Sequence, residues 1–253
     1  QGIEQERYLT ITIERKNFEE AKAQFATIEA SIFRSFAELG SKLTPLTGNE
    51  RLKILHDYYR LGREDEFNFD IRQGRITGTD FRNEICNTRI KYHPDYFEDE
   101  GKVGRVLFIK KYPTYLSDRF FTELTFLPVH SVTSVDVVPV PKDLTMKMLQ
   151  KKYLGIESDI IKQQRTRNRN NDFSSDISYS TRQKKKDIEE IMNNVRENDE
   201  SLYYVSVTMI VMADNRDELE SICETVDSIA KGAGCAVDTC MYKQREAVNT
   251  TLP

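Results

Sequence analysis

Between Gly104 and Tyr242 the chain runs twice through strand, helix and strand, with a long polar stretch between the two passages. In the first, Val106 to Lys111 reads as a strand ended by Pro113, and Ser117 caps a helix carrying Phe120, Phe121, Leu124 and Leu127. Pro128 closes that helix, and the Val-rich run from Val132 to Val140 is the next strand. In the second, Leu202 to Met212 is a strand. Asp214 or Asn215 caps a helix bearing Leu219, Ile222, Cys223, Val226 and Ile229. Gly232 and Gly234 stop it, Cys235 to Tyr242 is a strand, and a short helix covers Gln244 to Val248. Two interlocked β-α-β units predict an α+β, ferredoxin-like half-sheet with helices on one face.

The stretch 143–198 replaces the short loop that would join the two halves. It is charged and helical in pattern and breaks around Asn168 to Ser175, so a helical hairpin is expected. Upstream, Tyr8 to Ile13 alternates strictly and predicts a half-buried strand. Asn17 then caps a helix whose apolar stripe is Phe18, Ala21, Phe25, Ile28, Ile32, Phe36 and Leu39, stopped by Gly40. Asn49 is expected to cap a second helix with Leu52, Leu55 and Tyr59. Residues 62–100, punctuated by Gly62, Gly74, Gly78 and His93-Pro94, read as hairpins or irregular strands. The expected division is 1–100, a β-α-β-α subdomain with irregular hairpins, and 101–253, the ferredoxin-like subdomain with its helical insert 143–198.

Chemistry is hard to find along this chain. Each Gly fails as a phosphate cradle: Gly101-Lys102-Val103 lacks the upstream Gly and the hydroxyl. Gly232-Ala233-Gly234 follows a helix, whereas a dinucleotide loop must precede one. There is no G-x-S-x-G and no H-E-x-x-H. Asp95, Glu98, Asp99 and Glu100 cluster near His93 but without metal-ligand spacing, and read as an exposed acidic turn. Cys86, Cys223, Cys235 and Cys240 form no C-x-x-C pair and read as packed thiols of a reducing compartment. No catalytic, cofactor or metal residue is therefore assigned.

One surface stands out. Lys162, Arg165, Arg167 and Arg169 lie on the first arm of the hairpin, and Arg182, Lys184, Lys185 and Lys186 on the second. Phosphate-binding surfaces look like this, and so do solvated or partner-contacting helices. Net charge is −4, from 37 basic and 41 acidic side chains, and Glu157, Asp159, Asp187, Glu189 and Glu190 interleave with the basic residues. The reading preferred is a partner-contacting arm, with a nucleic-acid-binding module as the alternative. A thin apolar seam of Leu144, Met148, Ile156, Ile160, Ile188, Ile191 and Val195 would zip the hairpin. Tyr203 and Tyr204 could stack a base, but packing against a helix is the expected fate.

Several segments in order carry a resemblance. Ser201-Leu202-Tyr203-Tyr204-Val205-Ser206-Val207-Thr208 leads to Ala213-Asp214-Asn215-Arg216-Asp217-Glu218-Leu219, then Gln244-Arg245-Glu246-Ala247 and Leu252-Pro253. Upstream stand Gly104-Arg105-Val106-Leu107-Phe108-Ile109 with Tyr112-Pro113, then Leu127-Pro128 and Val135-Asp136-Val137-Val138-Pro139. The opening Gln5-Glu6-Arg7-Tyr8-Leu9-Thr10-Ile11-Thr12-Ile13 precedes the helix from Asn17. The chain resembles the N-terminal region of CagE/TrbE/VirB-family type IV secretion and conjugal-transfer ATPases, in the versions carried by integrative conjugative elements of Gram-positive bacteria. The resemblance implies a non-catalytic assembly and docking domain, with ATP and Mg bound by a motor beyond Pro253. Implied partners are inner-membrane components of the secretion channel, the chain's own C-terminal ATPase domain, and further copies in a homo-oligomer. The implied place is cytoplasmic, peripheral at the inner face of the plasma membrane. Gln1-Gly2-Ile3-Glu4, without an initiator Met or signal-peptide pattern, and the abrupt end at Pro253 fit a piece of a longer protein.

Overall fold

The computed structural model describes residues 5–60, 63–85, 89–169, 178–198 and 200–252. It is α+β, with an antiparallel sheet. Two compact units divide the chain: residues 1–134 with 207–253, and residues 135–206. The expected boundary after residue 100 falls inside a hairpin whose register pairs Asp99 with Lys102.

In the first unit, β3 (Lys102–Lys111) pairs antiparallel with β5 (Tyr203–Ala213), from Val103↔Ala213 to Phe108↔Thr208. Two short elements share the other side of β3. β2 (Phe97–Asp99), itself paired with β1 (Lys91–Tyr92), takes residues 102–104, and β6 (Ala236–Thr239) takes Leu107 onward. β4 (Ser131–Pro139) neighbours β5 and ends the strand order β1-β2-β3-β5-β4.

Strand residues alternate between two faces, and here both are covered. Leu107, Ile109, Val207, Met209 and Val211 pack on Phe120 and Leu124 of α5 (Arg119–Thr125) and on Leu219, Ile222 and Val226 of α8 (Arg216–Gly232). Val106, Ile210 and Met212 face the other way. They pack with Ala247 and Val248 of α9 (Gln244–Thr250) and with Tyr58 and Tyr59 of α2 (Gly48–Tyr59). Helices on one face only was the expectation. α9 and α2 correct it, and they explain why β5 is apolar at consecutive positions rather than alternate ones.

Local chemistry fixes the helix ends. Asn215 is extended and its side chain accepts from the Glu218 N–H at 2.9 Å, while Glu218 accepts from the Asp214 N–H at 3.1 Å. Gly234 sits at φ +74° and lets the Cys235 N–H reach back to Ala230 O at 2.8 Å. Asn17 caps α1 (Phe18–Glu38) in the same manner, accepting from Glu20 N–H at 2.9 Å. α2 is capped by Thr47, in a reciprocal box with Glu50, and not by Asn49 as expected. Asn49 instead accepts from the Ile71 N–H and donates to Asp70, so it anchors α3 (Ile71–Thr77).

Two other expectations fail. Tyr8 to Ile13 forms no strand, because its backbone meets no partner strand among the described residues, and Tyr8 and Leu9 are exposed. Residues 63–85 are largely helical: a 3-10 turn (Glu64–Glu66), α3 and α4 (Arg82–Ile85). Among the described residues of this stretch, Lys91 to Asp99 forms the expected hairpin. Gly62 and Cys86 lie outside the described residues.

Gly104 lies on β3 where the Phe97 ring and the Met212 thioether close over it. A Cβ there would overlap Phe97 Cζ and Met212 Sδ and stand 2.8 Å from Phe97 Cε1. Alanine would restrict the unfolded chain, a gain of about 0.4–1 kcal/mol. The overlap costs about 1–3 kcal/mol and wins, because Phe97 is itself buried. Gly104→Ala should therefore lower the urea midpoint, and Phe97→Leu in the same background should recover part of the loss.

The second unit holds the outer strand ends 135–139 and 203–206, α6 (Lys142–Arg169) and α7 (Tyr179–Glu197), which pack on each other. The expected break at Asn168 to Ser175 lies largely outside the described residues. No helix among the described residues is long and apolar enough to cross a membrane.

Candidate functional site

α6 is seated at its start. The Val140 N–H bonds Leu202 O at 2.8 Å, the Thr145 hydroxyl donates to Pro141 O at 3.2 Å, and Thr145 and Leu149 are buried. α7 starts on Ser178, whose hydroxyl oxygen accepts from the Thr181 N–H. The helices meet at Lys185. Its ammonium lies 3.1 Å from a Glu157 oxygen and 5.0 Å from the Tyr153 ring centroid. Tyr153 and Glu157 together hold the Lys185 ammonium above its ordinary range, and Lys185 holds the Glu157 carboxyl below its own. Met148, Ile156, Ile160, Ile188 and Val195 of the expected seam are partly buried, while Leu144 and Ile191 are exposed.

The basic arm divides by environment. Lys185 is committed to the helix–helix contact, and Lys162 stands 3.8 Å from Asp159. Arg167 is partly buried. Arg165, Arg169, Arg182, Lys184 and Lys186 are exposed, and none of the five forms an ion pair among the described residues.

The same unit exposes apolar surface on its strands. β4 is an edge strand. Val135, Val137 and Val138 on it, and Tyr203, Tyr204 and Val205 on β5, are all exposed; Tyr203 and Tyr204 are 55% and 56% accessible. Packing against a helix was expected for the two tyrosines. Both stay exposed, though the Tyr204 hydroxyl does reach a helix, 3.3 Å from Met148 Sδ on α6. Adjacent residues of a strand point to opposite faces, so both faces of these strand ends carry exposed apolar side chains. A patch of this kind on an edge strand is the ordinary mark of an interaction surface.

In the first unit the acidic turn is not a separate cluster. Arg105, 7% accessible on β3, makes a two-pronged pair with Glu220 of α8, at 2.8 and 2.7 Å. It also donates to Asp95 O at 2.9 Å and to Asp95 Oδ2 at 3.0 Å. Arg216 bonds the same Asp95 oxygen at 3.1 Å and lies 4.1 Å over the Tyr96 ring, which stacks on His93. Glu98 Oε1 is 3.2 Å from His93 Nε2. The network fastens the 93–96 turn and α8 to the sheet, and Asp95 is spent on it. No group of three or more His, Cys, Asp or Glu is placed to hold a metal among the described residues. The charged residue inside the Val103–Val106 run was the signal that could have found Arg105.

A crevice lined by Tyr58, Tyr59, Phe97, His130, Val132 and Ile210 encloses about 20 Å³, room for one water and not for a nucleotide. Cys223, Cys235 and Cys240 are free, and burial pushes each thiol above its ordinary range, away from the reactive thiolate. No family model and no curated protein matches this chain.

Proposed function

We propose that this chain is a docking domain, of the kind that the resemblance places ahead of the motor in type IV secretion and conjugal-transfer ATPases. The observation that carries the reading is the exposed apolar surface on Val135, Val137, Val138, Tyr203, Tyr204 and Val205, built on strands and therefore rigidly presented. The fold proposed with it is ferredoxin-like. The order β6-β3-β5-β4 is the one that two interlocked β-α-β units generate, with α6 and α7 as the insert. In this reading ATP and Mg belong to a motor domain, the partner is a small inner-membrane component of the channel, and the domain sits at the cytoplasmic face of the membrane.

The test is titration of the chain with such a component. Tyr203→Ser with Tyr204→Ser should weaken binding about a hundredfold, the loss of two aromatic anchors, with an unchanged circular dichroism spectrum. Equal affinity for the variant, or ATP turnover by the purified chain, overturns the reading.

The exposure of Arg165, Arg169, Arg182, Lys184 and Lys186 favours a second reading, a nucleic-acid-binding arm. It requires binding that falls steeply with salt, about 0.9 log unit per log unit of salt for each phosphate neutralised. Neutralising Arg165, Arg167, Lys184 and Lys185 would then abolish it. No binding to duplex or single strands at low salt sinks this alternative.

A further inference from the structure

α1 is a long helix with no buried residue. Phe18, Phe25 and Leu39 are 76%, 40% and 78% accessible, while Ala21, Ile28, Ile32 and Phe36 are only partly buried. No helix or strand among the described residues packs on it extensively. Its apolar residues nevertheless carry a repeat. Phe18, Phe25, Ile32 and the capping Leu39 are seven apart, and Ala21 and Ile28 hold the companion position until Ser35, where Phe36 takes over the stripe. A seven-residue repeat is the spacing that a second helix reads, since it keeps one seam in contact along both.

The flanks of the seam say which helix. Lys22 and Glu29 are seven apart on one flank, both exposed, and neither forms an ion pair among the described residues. On the other flank Arg15 bonds Gln24, so that side is already engaged by the preceding segment. Laid antiparallel on a copy of itself, α1 sets Phe25 against Ile28 and Ala21 against Ile32, with Phe18 against Ser35 at the ends of the seam. The same register brings Lys22 of each helix beside Glu29 of the other, twice across the two-fold axis. A symmetric dimer needs such a self-complementary surface. In a parallel pair, the flank opposite Glu29 would be Gln24, with no charge to meet it.

We infer that α1 is a self-association helix, and that its occupant is α1 of a second copy in antiparallel orientation. This does not depend on the docking surface of the second unit, which lies on other residues.

The experiment is sedimentation equilibrium of the full chain across a concentration series, with charge-swap variants of exposed residues that leave the fold intact. The wild type should dimerise with a Kd of about 10–100 µM, a modest value for one helix pair. Lys22→Glu and Glu29→Lys each convert two attractions into two repulsions, so each should weaken the dimer about tenfold. The double variant K22E/E29K restores opposite charges and should return to the wild-type Kd. A chain that stays monomeric to about 1 mM overturns the inference and leaves α1 to a different partner. A dimer indifferent to both single swaps, or a double variant no better than the singles, overturns it as well.

Discussion

Arg105→Met should lower the unfolding free energy by about 2–3 kcal/mol, read by urea denaturation with circular dichroism or tyrosine fluorescence, since the chain has no Trp. The guanidinium is buried on β3 and makes four hydrogen bonds, two to Glu220 and two to Asp95. Breaking a buried pair costs about 3–5 kcal/mol where the orphaned charge stays dry. Here the Glu220 side chain is 50% and Asp95 30% exposed, so water recovers part of the loss and the lower figure applies. Methionine retains the apolar stem and the volume, which separates loss of the charge network from loss of packing.

The pH dependence identifies the partner. Arg105 is the chief cause that holds the Glu220 carboxyl below its ordinary value of 4.5. A depressed carboxyl contributes stability that is complete above its unfolded pKa and is lost as pH falls through the folded one. The difference between wild type and Arg105→Met should therefore be full at pH 7 and shrink below about pH 4.5. Arg105 itself does not titrate in this window. A difference that stays constant down to pH 3 would assign the effect to packing alone.

How much of this could be read from residues alone depends on whether the signal is local. The caps at Asn17 and Asn215 and the stop at Gly234 were legible, because each satisfies backbone groups within its own turn. So were β3, β4, β5 and α8, whose apolar runs are long. Tyr8 to Ile13 alternates as a strand should, but alternation says which side chains share a face and does not supply a neighbouring strand for the backbone. Gly74 was read as punctuation, yet it lies inside α3, where Phe69 Cε2 would stand 3.0 Å from an added Cβ. Its absent side chain admits the ring and does not break the helix. The basic arm was found by composition, but composition could not tell committed Lys185 from exposed Lys184. Nor could it show that Tyr203 and Tyr204 stay uncovered, because the period of a strand says which side chains share a face and not which end of the sheet is covered.

Gln244→Leu carries the second large effect, and it follows from a gap in the sheet. β2 leaves β3 after Gly104, and β6 joins it only at Leu107. On that side the Val106 N–H falls between the two, on a residue 0% accessible. Gln244, itself 1% accessible, fills the gap. Its Oε1 accepts from the Val106 N–H at 2.9 Å and its Nε2 donates to Cys240 O at 3.0 Å, while the Cys240 N–H bonds Val106 O at 3.0 Å. Leucine fits the volume and gains about 1–2 kcal/mol of apolar burial. It leaves the buried Val106 N–H unpaired at about 1–3 kcal/mol and removes one of two hydrogen bonds to Cys240 O, which keeps the Lys243 N–H at 3.2 Å, so a net loss of about 1–2 kcal/mol is expected. Gln244→Glu separates shape from hydrogen bonding. A protonated carboxyl can still accept from Val106 and donate to Cys240, whereas the carboxylate cannot donate and is desolvated. Burial raises the folded pKa of the introduced acid, so its penalty should be absent below about pH 4.3, the unfolded value, and grow as pH rises above it. Stability of Gln244→Glu near wild type at pH 4 and well below it at pH 7, with Gln244→Leu impaired at both, is the expected result. A Gln244→Leu chain as stable as wild type would mean that α9 does not hold β3 through this side chain.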